Sequence, residues 1–222
     1  MSPRSAAHLL LPALASLAGI AACGGSLFHS NEPPISVYQL SVPAGALGAE
    51  IPADLAVMPV RVRTGLNNAE IAVLYPDRRL DHFAGARWSG PLDELVEDLA
   101  VQALRGQAHF RNVHTDASMF SAGYWLEIDV ADFQAEYPSA EGGGPPTAHV
   151  HLVARVGVSA DRRILGQYDA EARQPASDNR LTAVVKAYND AVDTALGKIV
   201  AEATDTVSKD LYAASPAASM NR

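Results

Sequence analysis

Cysteine is almost missing from this chain: 222 residues contain one, Cys23. No intramolecular disulfide can form, and a cysteine-rich zinc site is excluded. Cations are in deficit, with 17 Lys and Arg against 25 Asp and Glu. That balance argues against nucleic acid as the main partner, because phosphate binding needs a basic face. It also argues against adsorption to anionic lipid by charge alone. Beyond the N-terminus charges interrupt every apolar run, so no transmembrane helix is expected in the body of the chain. There is no G-x-S-x-G elbow. The one run of three glycines, Gly142-Gly143-Gly144, leads into Pro145-Pro146 and a strand pattern, whereas a phosphate loop opens a helix.

What is present is the material of a folded domain. Hydrophobic residues make up 48% and charged residues 19%, which is not the composition of a disordered chain. The length suits one domain of ordinary or large size and is short for a two-lobed solute-binding protein.

Residues 1–22 read as a bacterial export signal. Arg4 supplies the positive start, and Leu9, Leu10, Leu11, Leu14, Leu17 and Ile20 supply the apolar middle. The segment ends in Ile20-Ala21-Ala22-Cys23, which resembles the lipobox of bacterial lipoproteins. A secreted protein with a stray cysteine is the competing reading, but the lone cysteine stands where the apolar run stops. The resemblance implies cleavage before Cys23, lipidation of its thiol and acylation of the new amino terminus. Acyl chains in that number hold a protein on a membrane. Removing 22 residues, of which only Arg4 is charged, leaves 200 residues with formal charge −9. Gly24 rather than Asp follows the cysteine, which points to the outer membrane, facing the periplasm. Residues 23–34, with Gly24, Gly25, Ser26, Pro33 and Pro34, form a lipidated tether.

The rest alternates between strand and helix periods. Strands are expected at Ile35–Val42, at Leu55–Val62 with Pro59 marking an edge or bulge, and at Glu70–Tyr75. Pro91 opens a helix whose first turn carries Asp93 and Glu94 and whose buried stripe is Leu92, Leu95, Val96, Leu99 and Ala103. A strand at His109–His114 follows, then three long strands in an antiparallel meander with one wet face. The first of these changes phase: Tyr124, Leu126, Ile128 and Val130 align, and then Phe133, Ala135 and Tyr137 do. A bulge is therefore expected near Ala131 or Asp132. A helix from Asn179 to Tyr212, about 50 Å long at 1.5 Å per residue, is expected to bend at Gly197 or to project at one end. The class is α+β, a twisted antiparallel sheet with two main helices packed on one face and a long C-terminal helix. A single domain at 35–212 and a disordered tail at 213–222 complete the organisation.

Chemistry is sparse. His149-Val150-His151 puts two imidazoles on one strand face, but no further ligand stands at metal spacing, and a wet strand face is the favoured reading. The carboxylates Asp93, Glu94, Glu97 and Asp98 fit the solvated flank of a helix better than acid–base work. No enzyme activity, metal or cofactor is expected. Trp88, in Ala86-Arg87-Trp88-Ser89-Gly90-Pro91, is open to two readings: a packed residue ahead of a helix cap, or an interface anchor.

These residues carry a family resemblance. Tyr38-Gln39-Leu40 soon after the lipobox, Gly65-Leu66 with the Asn67-Asn68 turn, Glu70-Ile71-Ala72, Phe83-Ala84, Arg87-Trp88 and Pro91-Leu92 together resemble the ABC-type transport auxiliary lipoproteins, including the Pqi-type (paraquat-inducible) ones. The match is dense from Val37 to Val113. Phe83 stands where a Tyr is common. The resemblance implies a non-enzymatic periplasmic lipoprotein working with an MCE-domain subunit and an ABC permease and ATPase, moving phospholipid or another hydrophobic molecule between membranes. It also implies a possible homo-oligomer. On this reading Cys23 is the lipidation site, and Arg87, Trp88 and Pro91 are structural or interface residues. The alternative is a monomeric lipoprotein that carries lipid or a small apolar ligand in a pocket between sheet and helices.

Overall fold

The computed structural model describes residues 34–43, 45, 50–108, 110–115 and 122–214. Cys23, the signal segment and the tail from 215 lie outside them. The elements are β1 (Ser36–Tyr38), β2 (Ile51–Val57), β3 (Arg61–Val62), β4 (Glu70–Leu74), β5 (Leu80–Trp88), α1 (Leu92–Gln107), β6 (Phe110–His114), β7 (Tyr124–Glu136), β8 (Thr147–Val158), β9 (Ile164–Pro175) and α2 (Leu181–Ala214). Together they make the expected α+β architecture, a nine-stranded sheet with two helices.

The sheet is mixed rather than wholly antiparallel. β7, β8 and β9 form the expected antiparallel meander. The opposite edge of β7 is filled piecewise by parallel strands. Leu55–Val57 of β2 lie beside Tyr124–Leu126, Arg61 and Val62 of β3 beside Asp129 and Val130, and Val73 and Leu74 of β4 beside Ala135 and Glu136. β6 is parallel to β2, with α1 lying between them in the chain. Parallel neighbours require a crossover, and α1 lies in the one used here. The expected strand Leu55–Val62 is thus two strands broken at Pro59, which has no N–H to continue a ladder. Met58 N donates to Leu126 O at 2.8 Å and Arg63 N to Val130 O at 3.0 Å, so both pieces stay on β7.

The β7 bulge falls where the phase changes. Val130 pairs with Leu152 and Asp132 with His151, which leaves Ala131 as the extra residue. Before it the even residues are buried, and after it Phe133 and Ala135 are. Without the insertion Phe133 would face solvent.

β5 is a strand that the sequence pattern does not mark. Its outer half carries Asp81 and His82 and is exposed, and Gly85 sits at φ 69°. The register against β4 jumps from Ala72↔His82 to Glu70↔Arg87, a wide bulge that brings Ala86 and Trp88 inward. The β4–β5 turn closes with Arg78 at φ 69° and Tyr75 N donating to Arg79 O.

Both helices cover one face, and they touch each other. α2 is unbroken through Gly197 and ends at Ala214, two residues beyond the expected end. Its buried residues run from Val184 to Val207, and Tyr212 projects at 72% exposure. No bend is needed, because strands of 12 and 13 residues span about 40 Å at 3.3 Å per residue and support nearly the whole helix.

The centre of the core is aromatic. Trp88 meets Phe133 edge-on, with centroids 6.1 Å apart, and Tyr188 edge-on at 5.1 Å, while Phe133 and Tyr188 stack at 5.2 Å. These rings tie β5, β7 and α2 together. Tyr188 is wholly buried and donates its hydroxyl to Ala72 O of β4 at 3.1 Å. Trp88→Ala is expected to cost about 3–5 kcal/mol through the cavity it leaves. Tyr188→Phe, which frees one carbonyl, is expected to cost about 0.5–1.5 kcal/mol. Urea titration followed by circular dichroism measures both, and the prediction fails if Trp88→Ala unfolds at the wild-type midpoint.

Candidate functional site

The motif residues that lie apart in sequence meet at the start of α1. Gly65 adopts φ 94°, which turns the chain. Asn68 Oδ1 accepts from Glu70 N at 2.7 Å, forming a local turn. Trp88 N donates to Ala69 O at 2.7 Å, and Leu92 N donates to Asn68 O at 3.1 Å. A backbone carbonyl thereby satisfies an otherwise orphaned helix N–H, which explains why Pro91 caps α1 with no side-chain cap. The Gly-Leu-Asn-Asn and Arg-Trp-x-x-Pro-Leu blocks are two halves of one fastening. Trp88 is 1% exposed and belongs to the core. Pro91 is exposed at the cap. Arg87 is exposed on the opposite sheet face, beside Val37 of β1 and Glu70 of β4.

The acidic flank of α1 is half-wet. Asp98 and Glu94 are exposed, and Asp93 and Glu97 are partly covered. Partial burial pushes the Glu97 carboxyl up, a backbone hydrogen bond from Val60 opposes this, and the neighbouring carboxylates add to it. Among the described residues these carboxylates form no ion pair, and Asn67 Nδ2 donates to Asp93 Oδ2 at 3.5 Å.

Across β3, β7, β8 and β9 the sheet face away from the helices carries a lattice of ion pairs. Arg61 of β3 donates to Asp129 at 2.7 Å and also reaches Glu127. Arg155 of β8 reaches Glu127 at 2.8 Å and Asp129 at 3.4 Å. Arg63 lies 3.2 Å from Asp132. Each histidine of the His-x-His pair bridges a carboxylate of β7 to one of β9. His151 lies between Asp132 (3.5 Å) and Asp169 (2.5 Å). His149 has Nδ1 2.8 Å from Glu136 and Nε2 3.0 Å from Glu171, the latter contact without hydrogen-bond alignment. Arg173 of β9 joins Glu136 and Glu171. His149 is 5% exposed although its strand face is open, because these long side chains close over it. Trp125 lies across Gly157, where a β-carbon would come 2.3 Å from its ring.

The pair is therefore not a bare wet face, and no group of three or more His, Cys, Asp or Glu among the described residues is arranged to hold a metal ion. The sequence signal that would have revealed the lattice is the matching of Asp132 and Glu136 with Asp169 and Glu171, which is legible only once the register is known. Also among the described residues, no helix is long and apolar enough to cross a membrane.

Comparison with known proteins gives the assignment. A family model described as ABC-type transport auxiliary lipoprotein component matches residues 38–200. The chain belongs to that family. A crystal structure of a Xanthomonas campestris protein shares the fold at TM-score 0.70 and 22% identity, covering 80% of this chain and 99% of its own. A second solved structure, of an uncharacterized protein, gives TM-score 0.62 and 15% identity, covering 77% and 99%. No curated protein matches significantly. In the auxiliary lipoprotein, the matched span runs from β1 into the second half of α2 and includes both halves of the motif fastening and the whole ion-pair face.

The lattice gives the fold a direction of pH sensitivity. Burial raises the Glu136 carboxyl, but hydrogen bonds from His149, Arg173 and Gln134 outweigh it and hold the group below the usual range. A hydrogen bond from Arg173 does the same for Glu171. Groups depressed in the folded state contribute stability that is complete above their unfolded values, about pH 4.3. That stability is lost as pH falls through the folded values. The urea midpoint is therefore expected to drop between about pH 5 and pH 3, and Glu136→Gln is expected to flatten that drop. A variant that keeps the full wild-type slope would show that these carboxylates do not carry it.

Proposed function

We propose that this lipoprotein, held at the periplasmic face of the outer membrane by acyl groups on Cys23, is a docking or collar component of an ABC/MCE-type transporter. Its partners are an MCE-domain subunit and the associated permease and ATPase, and the cargo is phospholipid or another hydrophobic molecule. The carrying observation is the family match over residues 38–200, in a chain that opens with a lipobox-like segment. The protein works by binding and not by catalysis. His149 and His151 and the carboxylates that flank them are engaged in ion pairs that serve the sheet.

The carrier alternative needs an apolar cavity between sheet and helices. That space is filled: Trp88, Phe133, Tyr188, Leu99, Leu126 and Leu196 are each under 2% exposed. Surface grooves of about 280 and 290 Å³ exist, one beside β5 and one between β9 and α2. Sites that engulf a drug-sized ligand run about 300–1,000 Å³.

Two experiments follow from this reading. Cys23→Ala is expected to move the protein from the membrane fraction to the soluble one, read by fractionation and by loss of the acyl mass. Gentle extraction of the C-terminally tagged protein from native membranes is expected to bring down an MCE-domain subunit or its permease, identified by mass spectrometry. Recovery of a lone monomer with stoichiometric lipid would replace docking with carriage.

A further inference from the structure

Large apolar side chains are rarely exposed here, and three of the five in the described residues lie around one corner. Ile35 is 58% exposed, Val37 55% and Leu80 47%. They share a face. Val37 is paired with Arg87, Leu80 with Leu74 and His82 with Ala72, while the alternating Ile71, Val73, Ala86 and Trp88 point into the core. The corner is thus part of the open sheet face, at its β1–β5 edge.

The chemistry of this corner differs from that of the ion-pair lattice. Arg87 is exposed and makes no ion pair among the described residues. The corner's carboxylates, Glu70 and Asp81, lie 3.6 and 3.8 Å from Nδ1 of His82. A groove of about 280 Å³ runs past Ile35, Phe83 and Arg87. A guanidinium beside exposed aliphatic side chains suits the boundary between lipid phosphates and acyl chains.

The direction of the chain says what meets this corner. β1 runs parallel to β5 with Ser36 opposite Ala86, so the chain reaches β1 from the Leu80 side. Eleven residues, 24–34, separate Cys23 from Ile35. Fully extended they span no more than about 40 Å.

We infer that the β1–β5 corner, through Ile35, Val37, Leu80 and Arg87, rests on the surface of the bilayer in which Cys23 is anchored. This rests on the reading of Cys23 as lipidated. The opposite end, formed by the β8–β9 turn and the end of α2, then points away from the membrane.

The test uses full-length lipoprotein in phosphatidylethanolamine–phosphatidylglycerol vesicles. An environment-sensitive fluorophore is placed by Leu80→Cys or, at the far end, by Tyr212→Cys; both positions are exposed, and the lipidated Cys23 thiol does not react. Quenching by spin-labelled lipid is expected to be at least about threefold stronger at position 80 than at 212. Arg87→Glu is expected to weaken it at 80 only. Equal, water-like quenching at both positions with Cys23 acylated would overturn the orientation alone. Mass spectrometry showing unmodified Cys23 would overturn the anchor and the orientation together.

Discussion

Strand β7 is the constraint on which the rest of this fold depends. Its 13 residues are bonded on one side along their length by β8. On the other side β2, β3 and β4 take turns. A strand used in this way must be straight enough to serve three short partners and still keep one face apolar throughout. The Ala131 bulge reconciles those demands. It absorbs a one-residue change of phase between the stretch held by β3 and the stretch held by β4. Phe133 then turns toward Trp88 and Tyr188. The place of Phe133 in the aromatic centre follows from that single extra residue.

The two faces of the sheet use different physics. Under the helices, stability comes from burial and from close packing of Ala, Val and Leu around three rings. On the open face, stability comes from a charge lattice in which six carboxylates meet four guanidiniums and two imidazoles. Partly exposed pairs of this kind contribute little singly, and more where several share partners. The lattice also keeps a wide sheet surface hydrated, which disfavours unspecific sheet stacking. The outer edge of β9 has its own guard, since Lys198 Nζ of α2 donates to Asp169 O at 2.5 Å. A lysine on an open strand edge blocks edge-to-edge addition. At the β1–β5 corner, by contrast, Ile35, Val37 and Leu80 reach solvent beside the exposed Arg87.

Much of this was legible in the sequence, wherever the signal was local. The β7 bulge appears as a break in alternation between Val130 and Phe133. The α1 stripe at Leu92, Leu95, Val96 and Leu99 appears at helical spacing, and all four are buried. What was not legible depends on residues far apart in the chain. β5 is hidden because Leu80, Asp81 and His82 are exposed and Gly85 breaks the phase, so no alternation survives. The parallel pairing of β2 and β6 is hidden because a strand's direction is set by the crossover that delivers it, and not by its own residues. His149 is buried under carboxylates on β7 and β9 that lie 13 and 22 positions away, and no spacing rule on β8 alone points to them.

The same contrast explains why the motif block is informative about family and silent about chemistry. Gly65, Asn68, Trp88 and Pro91 are held together by backbone hydrogen bonds and by burial, and they build the junction from which α1 leaves the sheet. A change there acts through the fold. The residues available to a partner or a membrane lie instead on surfaces that folding does not use, such as Arg87, one position before the buried Trp88. Alternation along β5 sends these neighbours to opposite faces, so adjacent residues of one motif serve stability and contact separately. A variant at Arg87 therefore tests contact with the fold intact, and a variant at Trp88 tests the fold.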